Sequence, residues 1–333
     1  MISYIIRRCL TAIPTLLVIS IVGFVIIQLP EGDFLDRKIA ELEQQFGDAS
    51  SIVRADELRV RYGLGRPVWK RYIKWISGFA RGDFGESFEY EREVNELIWD
   101  RLGYTVLIVL GGLAFSYIMA IPLGIYSATH QNKLSDVMLT FFSFLGMSVP
   151  PFLIALVAIV FAFKVFGVPL FGLFSYDYEA AGWSTAKLAD LLKHLWLPVI
   201  IVGINTCAKF MRVMRGNLLD ILGQPFLQTA RAKGVSEKMV VIRHAAKLAV
   251  NPLVSILGTN LPYLLSVSTI VSIVMGLPTA GPMLYRALVS EDIYLAGTLI
   301  VMFSILVVAG NLISDVILSW IDPRIRYEQS EFR

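Results

Sequence analysis

The sequence predicts an all-α, polytopic membrane protein of six transmembrane helices. Three observations predict it: apolar runs long enough to span a bilayer, a shortage of charged side chains, and a charge bias between successive connections. Of 333 residues, 56% are hydrophobic and 17% charged, with a mean hydropathy of +0.64. That leaves too little ionic surface to cover a soluble protein of this size. A helix needs about 20 apolar residues to cross the hydrocarbon core. Residues 9–30, 103–128, 137–164, 195–212, 253–276 and 294–320 meet or approach that length. Backbone amides in lipid must be satisfied within the segment, so helix is expected even where β-branched residues crowd, as from Val157 to Val160.

The first segment follows Arg7 and Arg8, which orient its start towards the cytoplasm. It is too long for the apolar core of a signal peptide and lacks a small-residue cleavage site after it, so residues 1–30 read as a retained N-terminus and first span. Residues 31–102 form a long charged connection, placed outside by the crossing count. Within it Trp69, Tyr72, Ile73, Ile76 and Phe79 recur at helical spacing, as do Val94, Leu97, Ile98 and Arg101. Two amphipathic helices are expected there, capping the bundle or meeting a ligand. Residues 103–333 carry the remaining spans. The connection 212–251 holds Arg212, Arg215, Arg231, Lys233, Lys238, Arg243 and Lys247 against Asp220 and Glu237. The connections near 165–194 and 277–293 include Asp177, Glu179, Asp190, Glu291 and Asp292. The bias puts 212–251 and both termini in the cytoplasm.

Composition also excludes. A net charge of +3 gives no nucleic-acid footprint. Cys9 and Cys207 stand alone in apolar runs, and His130, His194 and His244 are scattered, so no disulfide framework or metal site is expected. No GxxxxGK[ST] phosphate loop, GxGxxG fingerprint or HExxH pair occurs, and no catalytic residue is assigned.

The most informative stretch is Gln224–Pro252. Pro225 suits the first turn of a helix and Gly234 its C-terminal cap, so Phe226–Lys233 is expected to form about two turns. Ser236 and Glu237 then open a second helix running towards the fifth span. Small residues Thr229, Ala230 and Ala232 permit close approach of a partner, while Arg231 and Lys233 supply charge. Physics alone leaves two readings, a mechanical coupling element or a solvated basic loop beside anionic lipid.

The run Gln228-Thr229-Ala230-Arg231-Ala232-Lys233-Gly234, continuing through Val235 and Ser236, resembles the EAA loop of ABC importer permeases. In that pattern E-A-A is followed by three residues and G; here Gln228 stands for Glu and Thr229 for the first Ala. The dipeptide, oligopeptide and nickel branch is similar in its T-A-R-A-K-G, matched by Thr229–Gly234, and in a later R-H-A, matched by Arg243–Ala245. The similarity extends through YIIRRCLTAIPTLLVISIVGFVIIQLP, RYGLGRPVWKRYIKWISGFARGDFGESF, IPLGIYSA and Asp322–Tyr327, all resembling the first permease of the pair. Ser272–Met283 departs from the aromatic-rich stretch usual there. The resemblance implies a type I ABC importer transmembrane domain in the bacterial inner membrane. It implies a second homologous permease, two ABC ATPase subunits that bind ATP and Mg, and an extracytoplasmic solute-binding protein. This chain itself would hold no cofactor. Residues 228–236 would couple it to the ATPase, and the cargo would be peptides, with oligosaccharides or opines as the alternative.

Polar side chains inside spans face the bundle or a wet cavity. Asn205, Asn260 and Asn311 are thus candidates for the translocation path or for interhelical hydrogen bonds, and Asp315 for an interfacial anchor near Arg324. Pro122, Pro150, Pro151, Pro252 and Pro262 predict kinks. An ion-driven secondary transporter is the rival class. It would want paired ionisable groups at mid-membrane, and the sequence offers scattered amides instead.

Overall fold

A computed structural model describes residues 2–29, 67–167 and 171–321. The Asp322–Tyr327 motif, Arg324 and residues 31–66 lie outside them. Among the described residues the backbone is helical apart from its connections and one isolated bridge, Glu86 to Glu93. The helices are α1 Ile2–Ile27, α2 Val68–Phe79, α3 Val94–Thr129, α4 Leu134–Ser148, α5 Pro151–Phe166, α6 Thr185–Leu222, α7 Pro225–Ala232, α8 Leu257–Met275, α9 Ala280–Val289 and α10 Ile293–Ile321, with shorter turns between them. Five of them (α1, α3, α6, α8 and α10) are long and apolar enough to cross a membrane. The pair α4 and α5 makes a sixth span if taken together.

The kink expected at Pro150 and Pro151 within the 137–164 span is a full break, with α4 and α5 meeting at a bend of 98°. The cause is the Pro150-Pro151 pair. A proline disfavours helical backbone in the residue before it. Val149 and Pro150 are accordingly extended, at φ −84°, ψ 123° and φ −60°, ψ 135°. Pro151 then takes the first position of α5, where its missing N–H costs nothing. The amphipathic turn expected at Val94–Arg101 is not separate; it continues into the second span as the 36-residue α3. The fifth span begins at Leu257, after a break at Ile256.

The chain divides into two compact units, 1–103 with 282–306 and 104–281 with 307–333. In the first, α2 turns an aromatic face onto α1 and α10. Phe24 stacks on Trp75 at 5.5 Å and meets Tyr72 edge-on at 5.4 Å, while Ser20 Oγ and Tyr72 Oη share a 2.8 Å hydrogen bond. The Trp75 indole N–H donates to Thr298 Oγ1 at 3.2 Å. Of the helical stripe read in the sequence, Tyr72 and Phe79 face this cluster, whereas Trp69 and Ile73 are exposed.

Asp292 locks the same unit. Its carboxylate caps α10 by accepting the Leu295 N–H at 3.1 Å, and it also accepts Ser87 Oγ–H at 2.5 Å and the Glu89 N–H at 3.1 Å. The side chain is fully buried, and burial pushes its carboxyl above the usual value. The native form therefore holds more protons than the unfolded chain between the ordinary and the raised pKa. Stability falls as pH rises through that window. Asp292→Ala, which strips all three bonds, is expected to cost about 2–3 kcal/mol. Asp292→Asn is expected to cost less and to lose the pH slope, both read by thermal unfolding in detergent across pH.

In the second unit α3 and α6 approach backbone to backbone. A Cβ on Gly203 would lie 2.5 Å from the Gly112 carbonyl oxygen, and one on Gly124 would lie 2.6 Å from Met214 Cβ. Ser116 Oγ lies 2.7 Å from the Gly112 carbonyl and 2.8 Å from that of Gly203, serving both helices at the contact. On the other side of α6, α4 packs antiparallel. Asp136, buried, pairs through both oxygens with Arg215 at 2.8 Å and also accepts from Ser127 and the Asn132 N–H.

Candidate functional site

α7 forms where the sequence places its signals. Gln224 is extended at the N-cap, and Pro225 takes the first turn. At the other end Gly234 has φ +79°, the left-handed conformation a Cβ resists. With Gly234 there, its N–H reaches the Arg231 carbonyl at 2.9 Å and the Val235 N–H reaches that of Ala230 at 3.2 Å. These two bonds make a Schellman cap, which satisfies carbonyls the helix would otherwise leave bare.

Two further contacts hold α7. Leu227 is its one buried residue, sealed where the helix packs against the π-helical turn Val240–Ala245. Arg231, in the last turn, grips Glu237, in the first turn of the next helix, by bonds of 2.9 and 2.8 Å. Each charge suits the helix end it occupies. This pairing holds the Glu237 carboxyl below its usual value, so the brace is present above the ordinary carboxylate pKa and is lost as pH falls through the depressed one. Gln228, Thr229, Ala232, Lys233 and Gly234 remain exposed, with Ala230 and Arg231 half-buried. Val235 is also half-buried, and exposed Ser236 stands at the N-cap of the next helix without a side-chain cap bond. The result is a short, braced helix with a free outer face.

Past the loop the chain returns to the bundle through a broken helix. After the π-helical turn come Ala246–Ala249 and Asn251–Ser255, with breaks at Val250 and Ile256. Pro252 has no N–H to donate and helps interrupt the ladder. Three long helices supply donors to the carbonyls near the breaks. Asn217 of α6 donates to Ala249 O at 3.3 Å, Tyr117 of α3 to Leu253 O at 2.6 Å, and Ser314 of α10 to Val254 O at 2.8 Å. The segment that follows α7 is thus tied to three long helices by hydrogen bonds a sequence reading misses, because each partner lies dozens of residues away.

The three candidate path residues are held at different places. Half-buried Asn205 donates to the Gly146 and Met147 carbonyls at 3.4 and 3.2 Å, at the end of α4. Buried Asn260 donates to Ile256 O at 2.6 Å, bridging the break before α8. Asn311 packs against Gly258, where an added Cβ would lie 2.8 Å from its Cα. No hydrogen bond joins the three among the described residues. Nor do those residues contain a cluster of three His, Cys, Asp or Glu side chains suited to a metal.

Comparison with known proteins agrees with this architecture. Residues 120–327 match the family described as binding-protein-dependent transport system inner membrane component, and residues 1–109 match the N-terminal region of such membrane components. The chain is 32% identical to the oligopeptide transport system permease protein AppB of Bacillus subtilis, covering 98% of this chain and 100% of the relative. It is 28% identical to the oligopeptide permease OppB of Haemophilus influenzae and 31% identical to the glutathione transport system permease GsiC of Shigella flexneri, each over 98% of this chain and 100% of the relative. A bundle of apolar helices carrying one exposed, Schellman-capped helix is thus matched along nearly its whole length, and the chain belongs to the binding-protein-dependent transport system inner membrane components, the multi-pass permease subunits of ABC importers.

Proposed function

We propose that this permease moves peptides, delivered by an extracytoplasmic binding protein, through a channel it forms with a second homologous permease. In this reading α7 docks in a cleft of a cytoplasmic ABC ATPase, which binds ATP and Mg. Residues 228–236 make that contact, and the termini lie in the cytoplasm. The observation that carries the proposal is α7 itself: a short helix with a free outer face, fixed to the bundle by Leu227 and by the Arg231–Glu237 brace. Such an element passes a push from a partner into the helices behind it without dissipating it in loop motion. Peptide is put ahead of oligosaccharide and opine because the relatives are named for oligopeptide, dipeptide and glutathione transport.

The test is uptake of labelled peptide by proteoliposomes containing both permeases, the ATPases and the receptor. Uptake is expected to need ATP and receptor together. A cysteine at Thr229 is expected to cross-link to the ATPase. Uptake by this chain alone, driven by an ion gradient without nucleotide, would instead establish the secondary-transporter class.

A further inference from the structure

One face of α6 carries Asn205, Lys209, Arg212 and Gly216, spaced by four, three and four residues. Lys209, Arg212 and Gly216 are exposed. With Thr140, Phe144 and Met147 of α4 they line a groove of about 540 Å³. Arg215, the next cation along, is neutralised by buried Asp136. Neither Lys209 nor Arg212 has a carboxylate partner among the described residues. Two uncompensated cations on an apolar spanning helix are costly unless they face water or an anion.

Long cations near a membrane boundary commonly snorkel to the headgroups, but Arg212 points the other way. The antiparallel packing of α4 on α6 fixes the levels: Asp136 lies beside Arg215, Ser143 beside Met211, and Met147 beside Asn205. The Arg212 guanidinium lies 4.2 Å from the Phe144 ring centroid and 3.6 Å from Met147 Sδ. Met147 is level with a residue seven positions before Arg212, about 10 Å along the helix away from the coupling loop. Side chains on a helix lean towards its N-terminus, which favours this direction. The guanidinium thus reaches along the groove, away from the coupling loop.

From this geometry we infer that Lys209 and Arg212 form a binding station for the carboxylate groups of a peptide in transit. The inference rests on the peptide reading above. Arg212 stacks one face on Phe144, which orients its planar fork for bidentate contact with a carboxylate. Lys209, one turn further in, offers the next charge. A carboxylate moving along the groove meets a cation at each turn instead of bare hydrocarbon.

The test compares two cargoes in the reconstituted complex: a glutamate-containing peptide acid, and the same peptide with glutamine in place of glutamate and an amidated C-terminus. Each uptake is expressed as the ratio of variant to wild type, so that receptor preference cancels. Lys209→Gln with Arg212→Gln is expected to slow uptake of the acidic peptide by roughly fivefold or more, as expected for lost charged hydrogen bonds. The amidated peptide is expected to change less than about twofold, and Arg212→Lys to restore part of the loss. Equal loss of both cargoes overturns the inference. If the double variant is poorly assembled, Lys209→Gln alone, at an exposed position, gives the same comparison. A defect seen only in vesicles containing phosphatidylglycerol, and absent in pure phosphatidylcholine, assigns the cations to lipid headgroups and also overturns it. If the wild type imports neither peptide, the peptide reading itself fails and takes this inference with it.

Discussion

Gly203→Val is expected to destabilise the protein by about 3 kcal/mol or more, the upper range for forcing bulk into a packed interior. Even the first added carbon would lie 2.5 Å from the Gly112 carbonyl oxygen and 2.8 Å from Phe115 Cδ1. The backbone of α3 cannot yield without parting the helices. Parting them also breaks the bond from Ser116 to the Gly203 carbonyl, worth about 1 kcal/mol in a membrane. Gly103→Ala is the contrast. A Cβ there meets nothing within 4 Å, so the better helix propensity of alanine is expected to leave stability unchanged or raise it by up to about 1 kcal/mol. Unfolding in mixed detergent micelles separates the two. Comparable stability for Gly203→Val and wild type would show that α3 and α6 are not held at this distance.

How much of this was legible in the sequence depended on how local the cause was. α7 was readable nearly to the residue because Pro225, Gly234 and Ser236 act on their own backbone, and the structure shifts the helix only from 226–233 to Pro225–Ala232. The amphipathic helix α2 was readable from its period, but which side packs was not. Phe24 and Thr298, which select the Trp75 side and leave Trp69 exposed, are remote in the chain. Pro150 and Pro151 announced a kink, while the 98° turn it produces could not be counted from residue spacing. The spacing of Val94, Leu97, Ile98 and Arg101 marks an amphipathic helix apart from the second span, whereas α3 runs through both, since a helix can carry a charge on its surface without ending. Asp136 was passed over because it sits at the edge of an apolar run, and its partner Arg215 is 79 residues away. In the candidate site, the helix and its cap were visible. The three donors Tyr117, Asn217 and Ser314 that fasten the following segment to the bundle were not, for the same reason.

Gly234→Val is expected to cut ATP-driven uptake by about tenfold or more while leaving the bundle folded. The argument is one of conformation alone. Gly234 has φ +79°, and a Cβ built there touches nothing within 4 Å, so no clash is created. The left-handed conformation costs an ordinary L-residue about 1–2 kcal/mol, and a β-branched side chain bears it worst. A change of 1.4 kcal/mol is a factor of ten in an equilibrium. If valine draws the backbone out of that conformation, the N–H groups of residues 234 and 235 leave the Arg231 and Ala230 carbonyls. The turn that brings Arg231 to Glu237 opens with them. α7 then hangs from the bundle by Leu227 alone, and a push on its outer face moves the loop before it moves the membrane helices. Asparagine tolerates the left-handed region far better, so Gly234→Asn is expected to keep most of the uptake despite a larger polar side chain. The pair therefore separates backbone from bulk. If asparagine and valine are equally inactive, the defect lies in what the side chain does to a docked partner. If valine transports as well as glycine, the Schellman cap has no part in coupling. Melting of each variant in detergent, expected to stay close to wild type because Gly234 is exposed and outside the packed spans, keeps a folding defect from passing as an uncoupled permease.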